Sequence, residues 1–127
     1  MPTLLENWTD AKMYINGEWV EASSGRRLSV ENPATGEIVG TVPDGGAEEA
    51  KHAVDAAFRA FDSWSALTAE ERSRLLYRWY TKIIERQNDL AMLMTLEQGK
   101  PFVEALAEMK YGSDFILWYA EEAKRVY

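Results

Sequence analysis

Residues 13–20 read MYINGEWV, two short apolar runs on either side of Asn16-Gly17. An Asn-Gly pair between short apolar runs is the strongest local signal for a two-residue turn with positive φ at both positions. We therefore predict a β-hairpin, with Met13–Ile15 as its first strand and Glu18–Val20 as its second.

The residues that follow predict a second antiparallel pair. After a Ser-Ser-Gly turn at 23–25, Leu28 and Val30 alternate with polar neighbours, which is typical of a half-buried strand. The sequence NPATG at 32–36 interrupts this strand, because proline and glycine favour turns. A strand then resumes over residues 37–42.

After Gly45-Gly46 the apolar period changes from strand-like to helical. We predict a first helix whose apolar stripe faces a core, and this stripe comprises Ala50, Val54, Ala57, Phe58 and Phe61. Thr68 and Glu71 have the spacing of a capping box, which predicts the start of a second helix. Its apolar stripe comprises Leu75, Leu76, Trp79, Tyr80, Ile83 and Ile84.

Two further helices are predicted in the last third of the chain. Asn88 is a candidate N-cap for a third helix that runs through Leu96, and Gly99-Lys100-Pro101 is a typical helix end. Pro101 can then be the first residue of a fourth helix. Its apolar positions are Phe102, Leu106, Met109, Ile116, Tyr119 and Ala123. Two hairpins cannot form a large sheet, and the four helices present more apolar surface than they need to cover one another. The chain is therefore predicted to need a partner layer.

The composition places the chain among soluble globular proteins. It has 127 residues, 46% of them hydrophobic and 28% charged, which fits one domain or part of one. Residues 1–11 are expected to form a flexible arm. The start of the chain resembles no targeting segment, and no apolar run approaches the roughly 20 residues that span a bilayer. We therefore expect a cytoplasmic protein without a membrane partner.

Charge and motif content exclude several functions for these residues. The net charge of -7 opposes binding to a phosphate backbone, so nucleic acid is not an expected partner. The absence of cysteine excludes a disulfide, a thiolate metal site and a cysteine nucleophile here. His52 lies off the apolar stripe of its helix, and the glycines form no GxGxxG or GxxxxGK[ST] motif. No catalytic residue and no cofactor-binding loop is predicted within the chain.

Aromatic residues recur at helical spacing near the end of the chain, at Tyr111, Phe115, Trp118 and Tyr119. They fit packing in a core or an interface. They equally fit an apolar passage that leads to a reactive centre elsewhere.

Four motifs in this order resemble the opening of aldehyde dehydrogenases. They are YINGEW at 14–19, VENPATGE at 30–37, TLEQGKP at 95–101 and YGSDFILWYAEEAKRVY at 111–127. The last motif is similar to the succinate-semialdehyde branch of that family. The resemblance implies an α/β fold in which N-terminal β-hairpins and four helices form part of the Rossmann-like cofactor domain. Residues 12–127 would be the N-terminal part of this NAD(P)-binding domain, incomplete and without the catalytic domain.

The resemblance also implies that the catalytic and cofactor-binding residues lie in a different part of the enzyme from this segment. In the family a cysteine attacks the aldehyde, hydride passes to the nicotinamide and water hydrolyses the thioester. The residues that do this, and those that bind NAD or NADP, would lie later in the full-length enzyme. The segment alone is then expected to be inactive and to bind no cofactor. Its partners would be the rest of the enzyme, a homo-oligomer and a small aldehyde, most specifically succinate semialdehyde.

Four residues match family positions with a role. Val30, through its backbone carbonyl, and Glu97 match places where some members hold a structural monovalent cation, for which oxygen ligands are suitable. Tyr111 and Phe115 match the helix that borders the substrate passage. The alternative hypothesis is a stand-alone helical module that uses its exposed aromatic face to dimerise or to bind a partner helix, without catalysis.

Overall fold

The structure, a computed structural model, describes residues 10–125. The chain divides between Asp62 and Ser63 into two compact units. The first contains β1 (Met13–Ile15), β2 (Glu18–Val20), β3 (Arg27–Glu31), β4 (Ile38–Pro43) and most of α1 (Ala47–Ser65). The second contains α2 (Ala69–Glu85), α3 (Gln87–Gln98), α4 (Phe102–Glu122) and a 3₁₀ turn (Ala123–Arg125).

The first hairpin forms as predicted. β1 and β2 pair antiparallel with Ile15 opposite Glu18, and Asn16 and Gly17 have φ of 54° and 83°. The rings of Tyr14 and Trp19, directly opposite each other, lie 4.9 Å apart between centroids. Such a cross-strand aromatic pair stabilises a short hairpin beyond its backbone hydrogen bonds.

The second antiparallel pair is also confirmed, although β4 is shifted by one residue and covers Ile38–Pro43 rather than residues 37–42. The ladder is irregular between Val30 and Glu31, next to the turn. In the turn, Asn32 Oδ1 accepts the backbone N–H of Ala34 at 2.9 Å, and the Asn32 carbonyl accepts that of Gly36 at 2.8 Å. Gly36 has φ of 74°, so the turn uses glycine where a side chain would be strained.

The helix α1 forms, but the prediction that its stripe faces a core is wrong. Val54, Phe58 and Phe61 are 67%, 81% and 63% exposed, and the buried residue of the helix is Ala56. The apolar period correctly identified an amphipathic helix. A period cannot say which element covers the apolar face, and the described part of the first unit does not cover it.

The capping box at the start of α2 is confirmed. Thr68 Oγ1 accepts the backbone N–H of Glu71 at 3.2 Å, and Glu71 Oε2 accepts the backbone N–H of Thr68 at 2.8 Å. The side-chain and backbone hydrogen bonds from Thr68 lower the pKa of the Glu71 carboxyl below its ordinary value.

Two predicted helix starts are wrong by a residue or two. The N-cap of α3 is Arg86 rather than Asn88, and no side chain caps it. Arg86 is also the C-cap of α2, so one residue is the boundary of both helices. Its guanidinium has no oxygen that could accept a backbone N–H of α3. Pro101 has ψ of 140° and is the N-cap of α4, which begins at Phe102. The predicted stop at Gly99 is confirmed, because Gly99 is the left-handed C-cap of α3 with φ of 69°, although the helix runs to Gln98 rather than Leu96.

In the second unit, α4 packs against both α2 and α3. The buried positions of these three helices are all small: Ser73, Ala91, Ala105, Ser113 and Ala120. Small side chains allow helix axes to approach closely. Across residues 10–125 the buried apolar residues are Ile15 and five alanines, so the other large apolar side chains remain at least partly exposed. None of the described helices combines the length and the hydropathy needed to cross a bilayer.

Of the predicted flexible arm at 1–11, residues 1–9 lie outside the described part of the chain. Asp10 forms an isolated parallel bridge with Thr41 of β4, and the Ala11 carbonyl accepts a hydrogen bond from Arg27. The last two residues of the predicted arm are therefore attached to the second hairpin.

Candidate functional site

The second unit has a groove along α4. It has a volume of about 400 Å³ and is lined by Tyr111, Asp114, Phe115, Trp118 and Tyr119. Their spacing of three and four residues places them on one side of the helix. The four aromatic residues are the ones whose recurrence was noted in the sequence, and we call this surface the aromatic groove.

The aromatic groove is open to solvent. Tyr111 and Phe115 are 67% and 49% exposed, and their rings meet edge to face with centroids 5.0 Å apart. Edge-to-face contact is a favourable arrangement of aromatic rings, and it fixes the two side chains relative to each other. Tyr111 and Phe115, the two predicted passage residues, are thus in direct contact. Both passage and interface remain compatible with this geometry.

Asp114 is the polar member of the groove, and sequence analysis did not single it out. Its Oδ2 accepts a hydrogen bond from Lys110 Nζ at 2.7 Å. The signal was available, since Lys110 and Asp114 have the i, i+4 spacing of a helical ion pair. The hydrogen bond to Asp114 and its charge raise the pKa of Lys110. The net charge of the groove is therefore small, because the carboxylate already has a cationic partner.

The buried side of the same helical turn is anchored by Ser113. Ser113 is 2% exposed, and its Oγ donates to the Lys110 carbonyl at 2.9 Å. This bond satisfies the buried hydroxyl within the helix. The turn that presents Tyr111 and Phe115 to solvent is thus the turn that packs through Ser113.

The two predicted cation ligands belong to different units. Val30 is in β3 of the first unit, and Glu97 is an exposed residue in the last turn of α3 in the second. Among residues 10–125, no group of three or more His, Cys, Asp or Glu side chains is arranged to hold a metal ion. Val30 would contribute its backbone carbonyl, which is not one of these side chains, so the assignment of Val30 and Glu97 stays a prediction. His52 is exposed on α1, as expected.

The comparison with known proteins decides the family. The model of the aldehyde dehydrogenase family matches residues 19–127. This chain belongs to the aldehyde dehydrogenase family, whose members are oxidoreductases. Its α/β elements, two hairpins and four helices, are those of the Rossmann-like part of that fold, as predicted.

Three relatives show how similar this chain is to individual members of the family. The glutarate-semialdehyde dehydrogenase of Pseudomonas putida is 56% identical over 114 residues, which are 90% of this chain and 24% of the relative. The NADP-dependent succinate-semialdehyde dehydrogenase of Escherichia coli is 53% identical over 113 residues, 89% of this chain and 23% of the relative. A solved NADP-dependent enzyme of Escherichia coli superposes with a TM-score of 0.92 at 50% identity, over 96% of this chain and 25% of that one. The chain thus spans about a quarter of the length of these relatives.

Proposed function

We propose that this chain is the N-terminal part of an NAD(P)-dependent dehydrogenase that oxidises succinate semialdehyde to succinate. The observation that carries the proposal is the identity of more than half the aligned residues with enzymes named for succinate and glutarate semialdehyde. In the reaction the aldehyde, water and NAD(P)⁺ give the carboxylate, NAD(P)H and protons. The hydride of the aldehyde carbon is the reducing equivalent transferred.

The exposed apolar faces support the view that the rest of the enzyme covers this chain. Phe58 of α1 is 81% exposed and Trp118 of α4 is 62% exposed. Full burial of one such side chain contributes roughly 1.5–3 kcal/mol. An enzyme roughly four times the length of this chain has ample surface to cover both faces.

Within the proposed enzyme, the roles of this chain are structural and peripheral to the chemistry. Tyr111 and Phe115 border the passage through which the aldehyde reaches the reactive cysteine, which the remaining polypeptide supplies. NAD or NADP is likewise held by residues of the remaining polypeptide. Val30 and Glu97 contribute oxygen ligands to a structural monovalent cation. The chain by itself is inactive and binds no cofactor, and its partners are the rest of the enzyme and further copies of it.

The proposal is tested by producing the complete polypeptide encoded by the gene and, separately, the 127-residue chain. The complete polypeptide should reduce NAD⁺ or NADP⁺ with succinate semialdehyde, and glutarate semialdehyde is the matched second substrate. The chain alone should reduce neither cofactor. Activity in the chain alone, or a complete polypeptide that does not oxidise succinate semialdehyde, would contradict the proposal, and activity with glutarate semialdehyde alone would assign the enzyme to that substrate instead.

A second candidate, a stand-alone interaction module, is favoured by one observation, the exposed stripe of α1. Such a module would use Phe58 and Phe61 to dimerise or to bind a partner helix. The reading frame after the codon for Tyr127 separates the two, because a module predicts a stop codon and the enzyme predicts a continuing frame.

We also propose a cytoplasmic location for the protein, and cell fractionation tests it.

A further inference from the structure

The two hairpins of the first unit are separate two-stranded sheets, and among the described residues no backbone ladder joins β1 or β2 to β3 or β4. Side-chain contacts must therefore help to hold the hairpins together. One side chain of β3, Arg27, is placed to do this. It is 25% exposed, less than any other arginine or lysine of the first unit that forms a described ion pair.

The guanidinium of Arg27 contacts three separate parts of the chain. Its Nε donates to Thr41 Oγ1 at 2.9 Å, and one terminal nitrogen donates to the Thr41 carbonyl at 3.1 Å. The same nitrogen donates to the Ala11 carbonyl at 2.7 Å and lies 3.3 Å from the Asp10 carboxylate. The other terminal nitrogen binds Glu21, which directly follows β2. The planar donors of arginine suit such a junction, whereas the ammonium of lysine cannot reproduce their geometry.

Asp10 lies at the edge of β4 that faces away from β3. It forms a parallel bridge with Thr41, and its Oδ1 accepts a hydrogen bond from Thr41 Oγ1 at 3.1 Å. An open strand edge presents unpaired N–H and C=O groups and can pair with another chain. One isolated bridge is a weak attachment for a segment whose Asp10 side chain is 84% exposed. The contacts from Arg27 to the Ala11 carbonyl and the Asp10 carboxylate add to this attachment.

We propose that Arg27 is an ionic latch that holds residues 10–11 on the edge of β4 and so keeps this edge closed to a second copy of the chain. Without Arg27, two carboxylates, those of Asp10 and Glu21, lose their shared counter-ion. Glu21 keeps a contact with Lys12, whose Nζ lies 3.9 Å away, whereas Arg27 is the cation that contacts Asp10 among the described ion pairs. Their repulsion then favours release of residues 10–11. Release uncovers the edge at Thr41, where an extended segment of another molecule can add as a strand.

The latch is tested in the complete polypeptide by hydrogen exchange with mass spectrometry. Arg27→Gln should speed exchange in peptides covering residues 10–12 and 38–43 by at least about tenfold, since it removes hydrogen bonds from a charged donor. Arg27→Lys should give a smaller acceleration in the same peptides. Arg26→Gln is the matched control, because it removes the same charge from a neighbouring residue whose side chain is 73% exposed.

Two further results complete the test. If Arg27→Gln does not fold, Asp10→Ala replaces it, because Asp10 is largely exposed and its loss should release only the segment it anchors. Light scattering should show, in the variant whose edge exchanges faster, concentration-dependent growth beyond the assembly that the wild-type polypeptide forms, and no such growth in Arg26→Gln. The latch would be overturned if Arg27→Gln and Arg26→Gln showed the same exchange rates in the peptides covering residues 10–12 and 38–43. Where Asp10→Ala replaces Arg27→Gln, the same comparison applies to it.

Discussion

Glu49 Oε1 accepts the backbone N–H of Ser23 at 2.7 Å, and thereby joins the turn between β2 and β3 to the first turn of α1. The other carboxylate oxygen, Oε2, accepts the backbone N–H of Gly46, also at 2.7 Å. The hydrogen bonds from Ser23 and Gly46 lower the pKa of Glu49 from 4.5 to about 2. Both oxygens of one carboxylate therefore hold backbone donors that precede the helix.

This pKa predicts how stability depends on pH. Because the folded pKa lies below the ordinary 4.5, Glu49 stabilises the fold above pH 4.5, and this contribution is lost as the pH falls towards 2. Glu49→Gln should therefore lower the free energy of unfolding at neutral pH, and the difference from wild type should shrink between those two pH values. Glu48→Gln is the control, since it shares the first helical turn and the helix dipole. Urea unfolding at several pH values measures the free energy of unfolding of both variants. Equal losses in Glu49→Gln and Glu48→Gln would contradict the role of Glu49.

The capping box of α2 predicts a second stability difference. Thr68→Ala removes the acceptor of the Glu71 N–H and should cost about 1 kcal/mol of unfolding free energy. Thr68→Ser keeps a hydroxyl at the same place and should lose much less. Denaturant titration of the three proteins provides the comparison. A serine variant as unstable as the alanine variant would mean that the hydroxyl does not cap the helix.

Alanine substitutions at two glycines of the second unit are predicted to change the stability in opposite directions. Gly99 has φ of 69°, where an alanine is strained by roughly 1–2 kcal/mol, so Gly99→Ala should destabilise the chain. Gly112 lies inside α4, and a Cβ there would meet no atom within 4 Å. Gly112→Ala should then stabilise the helix by about 0.5–1 kcal/mol, because it lowers the entropy of the unfolded chain. Thermal unfolding of the 127-residue chain tests the pair, and shifts in the same direction would refute the argument.

The sequence predicted the elements whose causes are local. The hairpin turn follows from Asn16-Gly17, the α2 start from Thr68 and Glu71, and the α3 end from Gly99. The start of α3 was missed because the helix follows α2 after one residue and uses no side-chain cap. Local chemistry cannot show that two helices will share one residue as their boundary.

Contacts between elements were predicted less well. The apolar stripe of α1 was correctly placed on one face, but Phe58 is exposed because nothing in the sequence tells which surface covers it. The contact between Tyr111 and Phe115 follows from helical spacing, and so does the ion pair of Lys110 with Asp114. The contacts of Arg27 were not predicted from the sequence. Its partners are distant in sequence, between residues 10 and 41, and only the folded chain brings them together.

The exposed stripe of α1 predicts that the isolated 127-residue chain associates with itself in solution. Phe58→Lys should weaken this association, since Phe58 is 81% exposed and a charge at this position opposes apolar contact. His52→Lys is the control: it also adds one positive charge to α1, but off the stripe. Size-exclusion chromatography with light scattering over a range of concentrations distinguishes them. A wild-type chain that stays monomeric at the highest concentration would contradict the prediction.

The aromatic groove predicts a selective effect on catalysis in the complete enzyme. Tyr111→Ala or Phe115→Ala removes one half of the edge-to-face pair, and kcat/KM for succinate semialdehyde should fall about tenfold, mainly through KM. The KM for NAD⁺ or NADP⁺ should not change, because the groove is proposed to border only the aldehyde passage. Tyr77→Ala is the control, since Tyr77 is also an exposed aromatic residue but lies on α2. If all three variants shift both KM values alike, the groove acts on packing rather than on aldehyde entry. A fall confined to the aldehyde in Tyr111→Ala and Phe115→Ala assigns these residues to the passage, since general loosening of the helices would affect both substrates.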